Sequence, residues 1–163
     1  QKSKNKFKLF TYKVKSPNQF GVLSKRQNNY FIHEKPKNFI GNQIVTGLYF
    51  LPNKAIHISK KNNKSKRGEL EITDVLNKLM KIHKPKIYDL KRGITWMDLG
   101  SLESLNNASD FIRLIQNISS TKIACLEEIA LKNKWIKKLS KNKMINKYGN
   151  SQYYEYLCEL NCF

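Results

Sequence analysis

Acidic residues and cysteines are scarce in this chain. Twelve Asp and Glu stand against 31 Lys and Arg in 163 residues, which leaves a formal charge of +19. That balance alone points to an anionic partner such as nucleic acid or an acidic membrane surface. The lysines, however, are mixed with Asn and Ile throughout, as in Lys60-Lys61-Asn62-Asn63-Lys64 and Lys141-Asn142-Lys143-Met144-Ile145-Asn146-Lys147. The charge therefore reads first as compositional drift over a solvated surface, since charge by itself specifies no site. Cys125, Cys158 and Cys162 are odd in number and have no CxxC spacing, which argues against a disulfide framework or a zinc site and for reduced thiols. No apolar run approaches the roughly 20 residues of a membrane-spanning helix. The opening stretch, Gln1 to Lys8, is basic but lacks the apolar segment of a secretory signal. The expected compartment is the cytoplasm, with no membrane contact. Gln1 is not an initiator Met and the first Met is Met80, so further sequence is expected upstream. His33, His57 and His83 show no ligand spacing, and structural or surface roles are expected for them.

What is present suits a globular domain: 40% hydrophobic and 11% aromatic residues, over a length that can bury a core. Phe7 to Val14 reads as a strand, Ser16-Pro17-Asn18 as a turn, and Phe20 to Leu23 as a second strand. Asn28-Asn29 looks like a hairpin tip before a returning strand, Tyr30 to Glu34, that ends at Pro36. The short apolar run Ile44 to Leu51 favours a buried strand, and Pro52 could open a helix through Ala55 and Ile58. The basic stretch Lys60 to Lys66 reads as a loop. Ile72, Leu76, Leu79 and Met80 then fall on one helical stripe. Strands are expected near Ile87 to Leu90 and at Ile94 to Met97. A helix capped by Ser101, with Glu103 in its first turn, should follow with a stripe of Leu105, Ala108, Phe111, Ile112, Ile115 and Ile118. The last third reads as helices carrying Ile129, Leu131, Trp135, Leu139, Tyr153, Leu157 and Leu160, broken at Tyr148-Gly149-Asn150. Interleaved strands and helices followed by helices alone give an α/β class with a mixed sheet.

Four segments can carry chemistry. Glu34-Lys35-Pro36 sets an acceptor and an ammonium at a strand end, where ligands gather in α/β sheets. Val45-Thr46-Gly47-Leu48-Tyr49 places a Gly inside an apolar strand, a mark of a bulge or of close approach by a ligand. Arg67-Gly68-Glu69-Leu70-Glu71-Ile72-Thr73-Asp74 puts a guanidinium, which can donate two hydrogen bonds to one phosphate, just before a helix start. Gly93-Ile94-Thr95-Trp96-Met97-Asp98-Leu99-Gly100 holds a carboxylate after an aromatic segment, and Mg²⁺ takes only one or two protein carboxylates. Taken singly, each has a plainer reading: a surface ion pair, a packed strand, a solvated Arg, a turn Asp.

In this order the four segments resemble the second half of the glucose-1-phosphate thymidylyltransferases, within the sugar nucleotidyltransferase family. The resemblance runs from about Phe10 to the last helix. It implies a partial Rossmann-like nucleotidyltransferase sheet over residues 1–120, the sugar-phosphate side, and a helical appendage over 121–163 for regulatory or oligomer contacts. It implies transfer of a deoxythymidylyl group from dTTP to glucose 1-phosphate with Mg²⁺, releasing pyrophosphate, in a homo-oligomer that is a tetramer in the full-length family. Carried over residue by residue, Lys35, Arg67 and Asp98 become catalytic, with Asp98 also the metal ligand. Phe20, Gly21, Glu34, Lys35, Val45, Gly47, Tyr49, Arg67 and Trp96 become substrate-binding, and Glu128 and Ile129 fall at a regulatory nucleotide site. The chain departs from the family pattern at Phe20, where Tyr is common, at Leu99, where Thr is usual, and at Leu131-Lys132, where Tyr-Arg is usual. The family's glycine-rich nucleotide loop is absent from this sequence, so weak sugar-phosphate binding without turnover is expected of the chain alone. The alternatives are a related uridylyltransferase, a non-catalytic remnant and a basic nucleic-acid-binding protein. The last ranks low because the aromatics lie within apolar strand patterns, not on a stacking platform.

Overall fold

The computed structural model describes residues 7–160. The chain divides into two compact units that meet in sequence at Trp96/Met97.

The first unit is built on a mixed five-stranded sheet of order β3-β2-β4-β1-β5. β1 (Lys8–Lys13), β2 (Gly21–Arg26), β3 (Asn29–Glu34) and β4 (Gln43–Phe50) pair antiparallel, and β5 (Lys86–Asp89) joins β1 in parallel. Parallel entry of β5 needs a crossover, which α1 (Lys54–Lys60) and α2 (Ile72–Met80) provide. Alternation along β1 and β4 decides which face they cover. Leu9 and Val45 enter a core with Phe7, Leu23, Ile32, Ala55, Leu76 and Leu79, against which Tyr49, Leu51 and Ile87 pack.

Two devices shape the sheet. Leu9 faces Tyr49 while Thr11 faces Val45, so β4 carries two more residues than β1 over this span, and the excess is accommodated at Thr46-Gly47-Leu48. Gly47 has a φ of +83°, a left-handed conformation that a side chain at this point would disfavour. On the outer edge, the Asn77 side chain of α2 accepts from Ile32 N–H at 2.9 Å and donates to Ile32 C=O at 2.8 Å. This closes the middle of β3 against edge pairing.

The structure corrects several sequence expectations. The β2–β3 turn is Gln27-Asn28, one residue earlier than expected, with Gln27 at a φ of +54°. Ile72 is exposed, and Thr73 and Val75 join Leu76 and Leu79 on the buried side of α2. Helical phase explains this, because burial runs 73, 76 and 79 with Val75 beside them. Residues 94–97 form no strand. Their fixed contact is instead a side-chain one, the Trp96 indole N–H donating to Thr46 C=O at 3.2 Å.

The second unit is helical: α3 (Leu102–Ser119), α4 (Leu126–Lys132), α5 (Lys141–Tyr148) and α6 (Gln152–Leu160). α3 starts as expected at Ser101, whose hydroxyl accepts from Ser104 N–H while the Ser104 hydroxyl accepts from Ser101 N–H. Of its expected stripe, only Ala108 is buried; Leu105, Phe111, Ile112, Ile115 and Ile118 are exposed. The core lies further on, where Cys125, Leu139, Met144, Tyr156 and Leu157 pack together. Trp135 stays outside it, exposed at 74%. Gly149 ends α5 at a φ of +58°, as the sequence break implied. No helix among the described residues is long and apolar enough to cross a membrane.

Candidate functional site

The end of β3 and the loop before α2 bring the main candidates of the first unit together. After Glu34 the chain turns at Lys35, whose φ of +40° is uncommon outside glycine, and its N–H donates to Phe20 C=O at 3.1 Å. The Lys35 backbone is thereby fixed beside the Phe20-Gly21 step. Gly21 is a tight position: a Cβ there would lie 3.1 Å from Ile32 Cγ2 and Thr73 Cγ2 and 3.5 Å from Glu34 Oε2, so the first two would have to shift by a few tenths of an ångström. The glycine lets β2, β3 and α2 lie close together here without displacing Ile32 or Thr73.

Arg67 reaches this cluster from a tight loop. Ser65 N–H donates to Glu69 C=O at 2.8 Å, Gly68 N–H to Ser65 C=O at 2.9 Å, and Arg67 N–H to Ser65 Oγ at 3.2 Å. The guanidinium then lies among three carboxylates: Glu69 at 3.2 Å, Glu71 at 3.6 Å and Glu34 at 3.9 Å. Glu71 is itself held by the Ser65 hydroxyl at 3.1 Å. Tyr49 completes the group from β4. Burial pushes its phenol pKa up and the neighbouring Glu34 charge pushes it further, opposed by a backbone hydrogen bond at Gly47. Glu34 therefore faces Arg67, Gly21 and Tyr49 at once, a polar cradle with one cation and several acceptors.

An aromatic wall adjoins the bulge. Trp96 meets Phe20 edge-on at 5.4 Å between ring centroids and Tyr12 at 6.0 Å, and its indole is tied to Thr46 C=O. Val45 turns its side chain into the core, so only its backbone belongs to this neighbourhood. Among the expected residues, Phe20, Gly21, Glu34, Lys35, Val45, Gly47, Tyr49, Arg67 and Trp96 all lie in the first unit.

Three participants escaped the sequence reading. Glu71 braces Arg67, and the signal was its i,i+4 spacing from the Arg. Asn77 holds β3 in place, which no local pattern announces. Thr73, 3% exposed, has a buried hydroxyl with no hydrogen-bond partner, a costly arrangement that a bound oxygen or water would relieve.

A separate cleft of about 610 Å³ lies at the C-terminal ends of the parallel strands β1 and β5, lined in part by Tyr12, Lys13, Asp89, Lys91 and Arg92. Asp89 is engaged there by Gln43 and Thr11, whose side chains donate at 3.3 and 3.5 Å.

Asp98, Glu128 and Ile129 belong to the second unit. Asp98 is exposed, and its Oδ2 accepts from Gly100 N–H at 3.2 Å, a local turn that orients the carboxylate. No group of three or more metal-ligating side chains occurs among the described residues. Glu128 is committed on both oxygens: Lys132 donates to one and Tyr156 OH to the other at 2.6 Å, and these bonds, Lys132 first, pull its pKa down. Glu127 accepts from Tyr148 OH and, at 2.6 Å, from Tyr153 OH. Burial alone would raise its pKa, but the two hydroxyls outweigh it and the carboxyl lies below its ordinary value. Tyr153 is shifted strongly upward, by burial first and then by Cys125 and Glu127.

Residues 1–114 match the family model for nucleotidyl transferases. Glucose-1-phosphate thymidylyltransferase from Neisseria meningitidis is 38% identical over 154 residues, 93% of this chain and 54% of that protein. The Mycobacterium tuberculosis enzyme of the same name is 33% identical over the same length. The chain thus spans about half the length of the curated relatives it matches. A Bacillus anthracis structure of glucose-1-phosphate thymidylyltransferase type, in complex with sucrose, superposes with a TM-score of 0.56 at 32% identity, covering 66% of this chain and 44% of that one. A UDP-glucose pyrophosphorylase complexed with UDP-glucose gives 0.53 at 25% identity, over 64% and 43%. With a family model matched over more than half its residues and a mixed sheet shared with solved sugar nucleotidyltransferases, the chain belongs to the nucleotidyl transferase family.

Proposed function

We propose that this chain supplies the sugar-phosphate side of a cytoplasmic glucose-1-phosphate thymidylyltransferase, which forms dTDP-glucose and pyrophosphate from dTTP and glucose 1-phosphate. The observation that carries the reading is the cradle at the end of β3, where Glu34, Arg67 and Tyr49 surround the Gly21 step. Nucleotidyl transfer is an in-line displacement at phosphorus, in which a protein mainly positions polyanions and neutralises their charge. Arg67 offers the fork for the sugar's phosphate and Lys35 a second positive charge. Glu34 accepts from sugar hydroxyls, the Gly21, Val45 and Gly47 backbones approach the ring, and Phe20, Tyr49 and Trp96 wall it. Thr73 lies against the Gly21 step through its methyl group, and its buried hydroxyl has no partner.

Mg²⁺, when bound, would neutralise phosphate charge, and Asp98 is the residue of this chain that would hold it. Its exposed carboxylate, turned by a single hydrogen bond to Gly100 N–H, has the chemistry for that role. Residues 1–120 act in this reading as the sugar-phosphate half and 121–163 as an appendage for regulation or oligomer contact, with Glu128 and Ile129 facing a regulatory nucleotide. Similarity to a structure holding UDP-glucose favours a uridylyltransferase as the second reading.

The test is a titration of the 163-residue chain with glucose 1-phosphate, followed by amide NMR. Weak, saturable shifts at Gly21, Lys35 and Gly68 are expected, reduced at least tenfold in affinity by Arg67→Ala, with no pyrophosphate released when dTTP is added. Shifts that ignore Arg67→Ala, or no shifts at all, would remove the reading.

A further inference from the structure

α1 and α2 pack side by side on the core face of the sheet, where Ala55 of the first and Leu76 and Leu79 of the second meet Leu9 and Val45. On α1, Lys54, His57, Ile58 and Lys61 recur at intervals of three and four residues, the spacing of one helical face. On α2, Lys78 stands four residues before Ile82, whose N–H donates to Leu79 C=O at 3.0 Å in the turn that closes the helix. The two stripes border a groove of about 380 Å³ lined by these six residues.

The groove has an apolar floor and a cationic rim. Ile58 is rooted in the core below, and Ile82 is 50% exposed. Lys54, Lys61 and Lys78 bring three ammonium groups, and no carboxylate lines the groove. Among the described residues none of these three lysines forms an ion pair with a carboxylate, whereas Arg67 has three such partners. Lys78 Nζ donates to Asn62 Oδ1 at 2.7 Å, which sets it on the rim and leaves two of its three N–H groups to give. The chain gains nothing from this grouping, since like charges repel and Ile82 stays in contact with water. Exposed apolar side chains rimmed by charge mark an interaction surface.

We propose that the α1–α2 groove is a docking surface for an acidic amphipathic helix of a partner polypeptide. In this mode of recognition a helix lays its apolar stripe into a groove. Aliphatic side chains of the partner cover Ile58 and Ile82, and the Asp and Glu flanking them meet Lys54, Lys61 and Lys78. Charge complementarity selects the sign of the occupant. A second copy of this chain, itself at +19, brings the wrong net sign. RNA has the right charge, but no aromatic side chain lines the groove for its bases to stack on. An anionic bilayer has the right charge too, but a floor between two helices is reached by a ridge and not by a flat surface.

The test titrates the full 163-residue chain with a synthetic helical peptide of about five turns, Leu along one stripe and Glu on both flanks, followed by amide NMR. Saturable binding is expected, with shifts centred on residues 54–61 and 78–82. Lys61→Glu and Ile82→Asp should each weaken it at least tenfold, as should about 1 M NaCl, which screens charges beyond ~3 Å. The same peptide with Lys in place of Glu should bind at least tenfold more weakly. Lys8→Glu makes an equal charge change on the other face of the sheet, where Lys8 Nζ lies over Phe50 and Tyr88, and should leave binding unchanged. Circular dichroism melts check that the variants keep the fold, and the shift pattern of the unmodified chain depends on no variant. The proposal is overturned by absence of binding, by shifts centred elsewhere, or by equal binding of the Lys peptide. It is overturned equally by an oligouridylate or a phosphatidylserine vesicle that displaces the peptide from the same residues, or by self-association of the chain that Ile82→Asp dissolves. None of these readouts involves glucose 1-phosphate, so their failure leaves the proposed function to its own titration.

Discussion

Carboxylates do opposite work in the two units. In the first, Glu34, Glu69 and Glu71 gather around the half-exposed Arg67 at 3.2 to 3.9 Å. In the second, Glu127 and Glu128 accept from the hydroxyls of Tyr148, Tyr153 and Tyr156 and so bind α4 to α5 and α6. An ion pair in contact with water is worth little to stability, because solvent compensates either partner when the other leaves. A guanidinium held in this way can exchange carboxylates for a phosphate at low cost. A carboxylate fixed by hydroxyls near a buried cluster has no such exchange to make. The first arrangement suits a site and the second suits a joint.

Four substitutions would break or sharpen that contrast. The largest stability loss is expected at Leu76, fully buried beneath the sheet. Leu76→Ala should cost about 2–5 kcal/mol, read by denaturant unfolding in a Trp135→Phe background so that fluorescence reports on Trp96. Asn77→Ala follows at about 1–3 kcal/mol, since both Ile32 backbone groups lose their partner. Faster exchange of the Ile32 amide would separate this effect from a general loosening. Tyr153→Phe should cost about 1.5 kcal/mol through the lost hydrogen bond to Glu127, measured by the loss of helical circular dichroism. Arg67→Ala should change stability least, by less than about 1 kcal/mol, while having the largest effect on glucose 1-phosphate binding. If Arg67→Ala destabilised the chain as much as Leu76→Ala, the distinction between site and joint would fail.

Acid should sharpen the same comparison. The folded pKa values of Glu127 and Glu128 lie below the ordinary 4.5. Their contribution is therefore complete above that value and is lost as pH falls through the lower folded values. Helical signal of the second unit should decline on acidification below about pH 4.5, and Glu127→Gln should flatten the decline. A pH-independent melt between pH 3 and 6 would remove the tyrosine–carboxylate joint as a source of stability.

Much of the fold was legible because local rules agreed with tertiary ones. β-branched and aromatic runs gave β1 to β4, Pro52 preceded α1, Ser101 began α3 and Gly149 ended α5. The misreadings occur where the deciding contact is remote. Ile94 to Met97 has strand-like composition but no ladder partner, and Trp96 is tied by its side chain. Trp135 and the α3 stripe are apolar in sequence yet exposed, because periodicity states which face is apolar and not what lies against it. Around the candidate site, the Glu34 and Arg67 motifs could be read from neighbouring residues, and their meeting across the β3 end is a product of the fold. Asn77 and Thr73 carry no motif; their positions matter only through Ile32 and Gly21, 45 and 52 residues away in sequence.

The excursion of β4 at Gly47 lengthens that strand by two residues relative to β1, and two is an even number. Evenness preserves phase, so Val45 before it and Tyr49 after it both look inward. Removing one residue there would turn the far half of the strand inside out, sending Tyr49 to solvent and drawing Phe50 inward. Removing two would only straighten it. Length variation at this point is therefore quantised in pairs, and natural or designed chains of this shape should tolerate doublets where singlets fail.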